Sequence, residues 1–142
     1  MGDGLFARAL AGKPAQVIGD PDALHTNTFI DDFASGLVTL AQRDEALGEV
    51  WHIPNAETVT TRRFIELVFA QLGRPARLQP VPKVMINLLA LVIPAMAAVK
   101  ETLYQSEHPW VVDHSKFMRV FGASPTPHEH AIEQTLAWFR SA

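Results

Sequence analysis

Cysteine is absent from the sequence. That excludes disulfides, thiolate metal sites and a cysteine nucleophile, and it fits a reducing compartment. A basic excess is also missing. Twelve Lys and Arg stand against fifteen Asp and Glu, for a formal net charge of −3, so the chain has no electrostatic footprint for nucleic acid. Long apolar runs are scarce. The longest, Val84 to Val99, has 16 residues, is interrupted by Asn87 and Pro94, and lies between Lys83 and Lys100. A membrane-spanning helix needs about 20 apolar residues. A buried core helix, a greasy substrate pocket or a subunit contact is expected there, and no membrane contact. The opening GDGLFARALAGK is too polar for a secretory leader, so a cytoplasmic location is expected.

What is present suits one folded domain over residues 1–142. Apolar residues make up 48% of the chain, enough for a real core. Apolar spacing predicts a helix over 3–11 with Leu5, Phe6, Ala9 and Leu10 on one face, stopped by Gly12. A short strand at Gln16–Ile18 and a turn at Gly19–Asp22 follow. A helix is expected after Asp32, carrying Phe33, Leu37 and Val38. GEVWHIPN reads as a short buried strand, and Thr60 or Thr61 caps a helix that Gly73 ends. ARLQPV is a further strand. Pro82 starts a helix that Pro94 must break or kink, and a second runs from about Ala95 to Gln105. PWVVD is extended. Asp113 caps a short helix stopped by Gly122, and TPHE, with Thr126 as cap, opens the last helix. The fold class is therefore α+β, mainly helical, with strands too few and short to form a stable sheet alone.

No constellation of residues carries chemistry by itself. Gly2, Gly4 and Ala7 match a dinucleotide fingerprint in letters only, because no strand precedes the first glycine. Asp31 and Asp32 are adjacent. On a helix they diverge by about 100°, so helix capping explains them better than a shared metal does. His128 and His130 are two apart and face different ways, and no metal site is expected. Tyr104 has no lysine four residues on. Ser106, His108 and Asp113 lack the surroundings of a hydrolase nucleophile.

The order of the pieces carries more. FIDDFASGL, GEVWHIPN, a capped helix ending LGRP, then VVDHSKFMRVFG and TPHEHAIEQTLAWFR resemble the C-terminal portion of extended short-chain dehydrogenases/reductases, the NAD-dependent epimerase/dehydratase family. The resemblance implies a substrate-binding lobe whose Rossmann part, with its glycine-rich loop and Tyr-x-x-x-Lys pair, is not in these residues. No catalytic residue is then expected here, no cofactor is bound by this chain alone, and NAD or NADP is implied for the full-length family. GEVWHIPN would return a strand to the Rossmann sheet. Asp32, Asp113 and Thr126 would be structural caps, and His25, Asn27 and Tyr104 candidate substrate contacts. His25 stands where many nucleotide-sugar members have a diphosphate-binding arginine, seven residues before the family's acid, and an imidazole is a poor replacement for a guanidinium. The rival expectation is a self-standing helical interaction module that self-associates, with a homodimer formed through the apolar helices around 84–103.

Overall fold

The structure is a computed structural model and describes residues 2–141. Its core joins four elements. Helix α1 (Gly2–Leu10) buries Leu5, Phe6 and Ala9, and strand β1 (Ala15–Val17) buries Ala15 and Val17. Helix α3 (Thr61–Gln71) adds Ile65, Val68 and Phe69, and the last helix, α8 (His128–Ser141), adds Ile132 and Leu136. Phe6 stacks on Phe139 at 5.8 Å and meets Phe64 edge-on at 6.5 Å. This cluster holds the apolar residues that the helical periodicity of each segment singles out. Thr60 caps α3 by accepting the N–H of Arg63 at 3.0 Å, and Gly12, Gly73 and Gly122 take positive φ where helices end.

Two small sheets flank the core. Strand β1 pairs in parallel with β4 (Leu78–Pro80), which lies within ARLQPV. Strand β2 (Leu24–His25) pairs antiparallel with β3 (Val59–Thr60) and meets Trp110 on its other side through an isolated parallel bridge. GEVWHIPN is corrected by the structure: no strand is assigned to 49–55. A strand needs a partner for its backbone groups, and among the described residues none runs alongside. Ile53, Pro54 and Asn55 are nonetheless buried. Ile53 lies against Gly36 of helix α2 (Ile30–Ala41), where an added Cβ would stand 2.7 Å from its Cδ1.

Other expectations shift with the tertiary context. Helix α2 starts before Asp32, with Phe29 at its cap and no side-chain capping bond. Asp31 and Asp32 fall in the first turn, where negative charge suits the helix dipole. Of the break or kink expected at Pro94, the structure has the break. Helix α4 (Lys83–Leu89) ends first, and Pro94 opens α5 (Pro94–Glu101) from its first position. The helix expected to Gln105 divides at Thr102, whose hydroxyl bonds back to the carbonyls of Ala98 and Val99, and α6 (Leu103–Glu107) follows. The core role expected for 84–93 is also corrected. Ile86 is buried, but Val84, Leu88, Leu91 and Val92 are 63% exposed or more, because α4 and α5 pack chiefly on each other.

Gly19 is the tightest glycine. Its φ is +82°, and an added Cβ would lie 2.3 Å from the carbonyl oxygen of Ser106, which also accepts the N–H of Asp20 at 2.9 Å. Gly19→Ala is expected to lower stability by about 1–3 kcal/mol, the cost of a strained backbone position. A drop in the urea midpoint at unchanged m-value checks it.

Candidate functional site

A cleft of about 260 Å³ opens where β2, α3 and α6 meet the segment at Trp110. His25 is part of its wall. Its Nδ1 faces the Thr61 hydroxyl at 3.1 Å and its Nε2 faces the Gln105 carbonyl at 2.9 Å. A carbonyl only accepts, so Nε2 carries the hydrogen and the Thr61 hydroxyl donates to Nδ1. The imidazole thus ties together segments 36 and 80 residues away. The main chain repeats the tie: Trp110 donates its N–H to Leu24 at 2.8 Å, and Thr26 donates its own to Trp110 at 2.9 Å. The Thr26 hydroxyl accepts the N–H of Val112 at 3.0 Å and shares a hydrogen bond with Thr58 at 2.9 Å.

The structure brings together two of the three candidate contacts. Asn27 lines the cleft beside His25 and donates its amide to the His25 carbonyl at 3.3 Å. Tyr104 does not line it. Its ring is exposed, and its hydroxyl accepts the side-chain amide of Gln105 at 3.2 Å. Thr61, Gln105 and Trp110 line the cleft without having been singled out. A helix cap, a helix residue and an aromatic after proline each read as structural until the chain is folded. Ser106 also lines the cleft, but the triad drawn from Ser106, His108 and Asp113 is not assembled. The carboxylate of Asp113 accepts the N–H of Ser115 at 2.8 Å, the first residue of α7 (Ser115–Phe121). That bond holds its carboxyl below the usual carboxylate range. Asp113 acts from one residue outside the helix, since His114 takes the cap position.

Asp32 has a different partner from the one expected. Its carboxylate accepts the N–H of Thr126 at 2.8 Å and the hydroxyl of Thr126 at 2.7 Å. An ionised carboxylate is the stronger acceptor, so Thr126 gives both polar hydrogens to Asp32. Among the described residues no bond runs from the Glu129 amide to the Thr126 hydroxyl. Helix α8 begins after Pro127, whose carbonyl accepts the N–H of Ala131. Asp32 therefore fastens α2 to the start of α8 and does not cap its own helix.

Beyond Asn27 lies a second, more apolar cavity of about 310 Å³, walled by Leu5, Phe6, Phe29, Phe64 and Thr135. His128 borders it, buried, with Nε2 donating to the Glu57 carbonyl at 2.7 Å and its ring edge-on to Phe64. Charge is spent elsewhere. Arg62 forms a two-pronged pair with Asp22 at 2.7 and 3.0 Å, which holds the Asp22 carboxyl below its usual range. Among the described residues no three His, Asp or Glu side chains could hold a metal ion. Gly2 and Gly4 lie within helix α1, so they do not form the tight turn that cradles a dinucleotide.

Removing the central imidazole tests this geometry. His25→Ala is expected to cost about 1–3 kcal/mol by leaving the Thr61 hydroxyl and Gln105 carbonyl unpaired, read from chemical denaturation. His25→Gln should recover part of that loss.

No family model and no curated protein matches the chain. Solved structures do. A UDP-glucuronic acid 4-epimerase from Bacillus cereus in complex with NAD matches with TM-score 0.70 at 22% identity, covering 99% of this chain and 38% of that one. The holo form of a GalE-like L-threonine dehydrogenase from Cupriavidus necator matches at 0.65 and 16%, covering 95% and 39%. A triphenylmethane reductase from Citrobacter sp. matches at 0.64 and 17%, covering 94% and 47%. The chain thus spans less than half the length of these neighbours. Mainly helical with short strands, it has the fold of a part of an extended short-chain dehydrogenase/epimerase.

Proposed function

We propose that the chain is the substrate-binding portion of an NAD(P)-dependent epimerase, dehydratase or reductase of this architecture, not catalytically competent alone. The observation that carries this reading is the partial match: nearly all of this chain covers about two-fifths of an epimerase solved with NAD and of a threonine dehydrogenase in its holo form. The surface agrees. Helix α2 exposes Ile30, Phe33, Leu37 and Val38 as one stripe, and Leu47, just before the unpaired 49–55 segment, and Val50, within it, are 74% and 80% exposed. The accessible surface is 8893 Å², roughly 1,600 Å² above that of an ordinary monomer of this mass. A standard interface takes about 800 Å² from each partner, so this excess is enough for a docking face. In this reading a dinucleotide-binding unit covers α2 and pairs with 49–55. It supplies NAD or NADP and the proton-transfer groups, while this chain orients the substrate.

A second reading rests on the α4–α5 surface. A self-standing module would cover Val84, Leu88, Leu91 and Val92 with a second copy of itself, since exposed apolar patches beyond a few hundred Å² mark interfaces.

The native product from its source distinguishes the two. The first reading expects a mass roughly 2.5 times 15.7 kDa, in line with the neighbours' lengths, and retained NAD(P), while residues 1–142 alone bind no dinucleotide in calorimetry. A native product of 15.7 kDa that dimerises and ignores NAD overturns it in favour of the second.

A further inference from the structure

The cleft around His25 carries no free charge. Ile18, Thr26, Asn27, Thr61, Ser106 and Trp110 bring no ionisable group to its wall, and both nitrogens of His25 are committed to Thr61 and Gln105. The charged neighbours are committed too. Arg62, next to Thr61, grips Asp22 with two bonds, and Glu107, next to Ser106, pairs with Lys83. A phosphate or carboxylate entering here would exchange its hydration for neutral groups without a counter-charge, which is unfavourable.

Neutral hydrogen-bonding groups are free. Asn27 spends its amide on the His25 carbonyl and keeps its Oδ1 as an acceptor. Among the described residues the Ser106 hydroxyl and the Trp110 indole N–H have no hydrogen-bond partner. Trp110 lines the cleft and is 53% exposed. Gly19 fixes the position of Ser106, since the Ser106 carbonyl fills the space a side chain there would need. Rigid positioning of a few polar groups beside an aromatic face is what a small-molecule site requires.

We infer that this cleft takes an uncharged, ring-bearing molecule with a carbonyl or hydroxyl group, and not a nucleoside diphosphate. The ring lies against Trp110, and its oxygen accepts from the Ser106 hydroxyl or the indole N–H, next to Asn27. This assignment deepens the substrate-binding reading and rests on it, but its test does not depend on a dinucleotide-binding partner.

The test is a nitrogen-15 NMR titration of the 142-residue chain with two probes, acetophenone and UDP. Acetophenone at millimolar concentration is expected to shift the Trp110 indole, Asn27 side-chain and Ser106 amide signals, while UDP leaves them in place. Trp110→Ala should weaken the acetophenone response about tenfold, equivalent to about 1.4 kcal/mol for an aromatic contact. Trp110→Phe, which keeps a ring, should lose less, and the dispersion of each variant's spectrum reports its folding. UDP shifting these signals, or acetophenone shifting none of them, overturns the inference. A native product that lacks NAD would instead count against the substrate-binding reading and leave the cleft's preference for a neutral ligand measurable.

Discussion

Backbone polar groups buried in a protein must find partners, and this chain has little sheet with which to supply them. Its strands are two or three residues long. The arrangement of the cleft side therefore depends on one of them, Leu24–His25. Val59–Thr60 pairs with it on one side and Trp110 on the other, and the His25 imidazole adds a side-chain tie to Thr61 and Gln105. Beyond that knot, α6 and the stretch at Trp110 are held by the Ser106 carbonyl at the Gly19 turn, the Lys83–Glu107 pair, the Thr26 hydroxyl on Val112 and the His52 imidazole on the Asp113 carbonyl. The same residue that organises the cleft also removes its only titratable group from service. Structural and binding roles compete for one imidazole here, and the structural role takes both nitrogens.

The surface divides by polarity in a way that fits a part more than a whole. One face is closed: α1, α3, α8 and β1 bury their apolar side chains against one another. The opposite situation holds on α2, whose stripe of Ile30, Phe33, Leu37 and Val38 faces outward although its other side packs Gly36 against Ile53. A helix apolar on two sides belongs between two layers. The 49–55 segment reinforces this, being buried at Ile53 yet without a ladder partner among the described residues. It is held by its side chains. Trp51 packs at 4.8 Å from Phe121, and Lys116 lies 4.1 Å over the Trp51 ring while pairing with Glu49. The Val50 and Ile53 carbonyls accept side-chain hydrogens from Lys116 and Asn55, but among the described residues no backbone N–H of the segment has a partner, which suits a strand awaiting a sheet.

Much of this was legible in the sequence, and the reason is local. Thr60, Gly12, Gly73, Gly122 and Pro94 act through the backbone within a turn of their own position, so their letters announce helix ends directly. The apolar spacing of α1, α3 and α8 likewise reports the core face. Interactions between distant segments were not legible. Asp32 looked like the cap of its own helix because nothing in FIDDF reveals Thr126, 94 residues on, with two hydrogens to donate. His25 stood out for the charge it lacks, but its partners Thr61 and Gln105 carry no signal of their own. The run 84–93 read as core because its composition is apolar, whereas burial depends on whether other elements reach it. The family resemblance anticipated the fold that the solved structures share.

Hydrogen exchange across 49–55 tests the central claim most directly, because it reads the backbone groups that the docking account leaves waiting. The account predicts rapid exchange of the Val50, Trp51 and His52 amides in residues 1–142 alone and strong protection of the same amides in the native product. Equal, rapid exchange in both would mean that no sheet ever pairs with this segment, and the chain would have to be understood as a module in its own right.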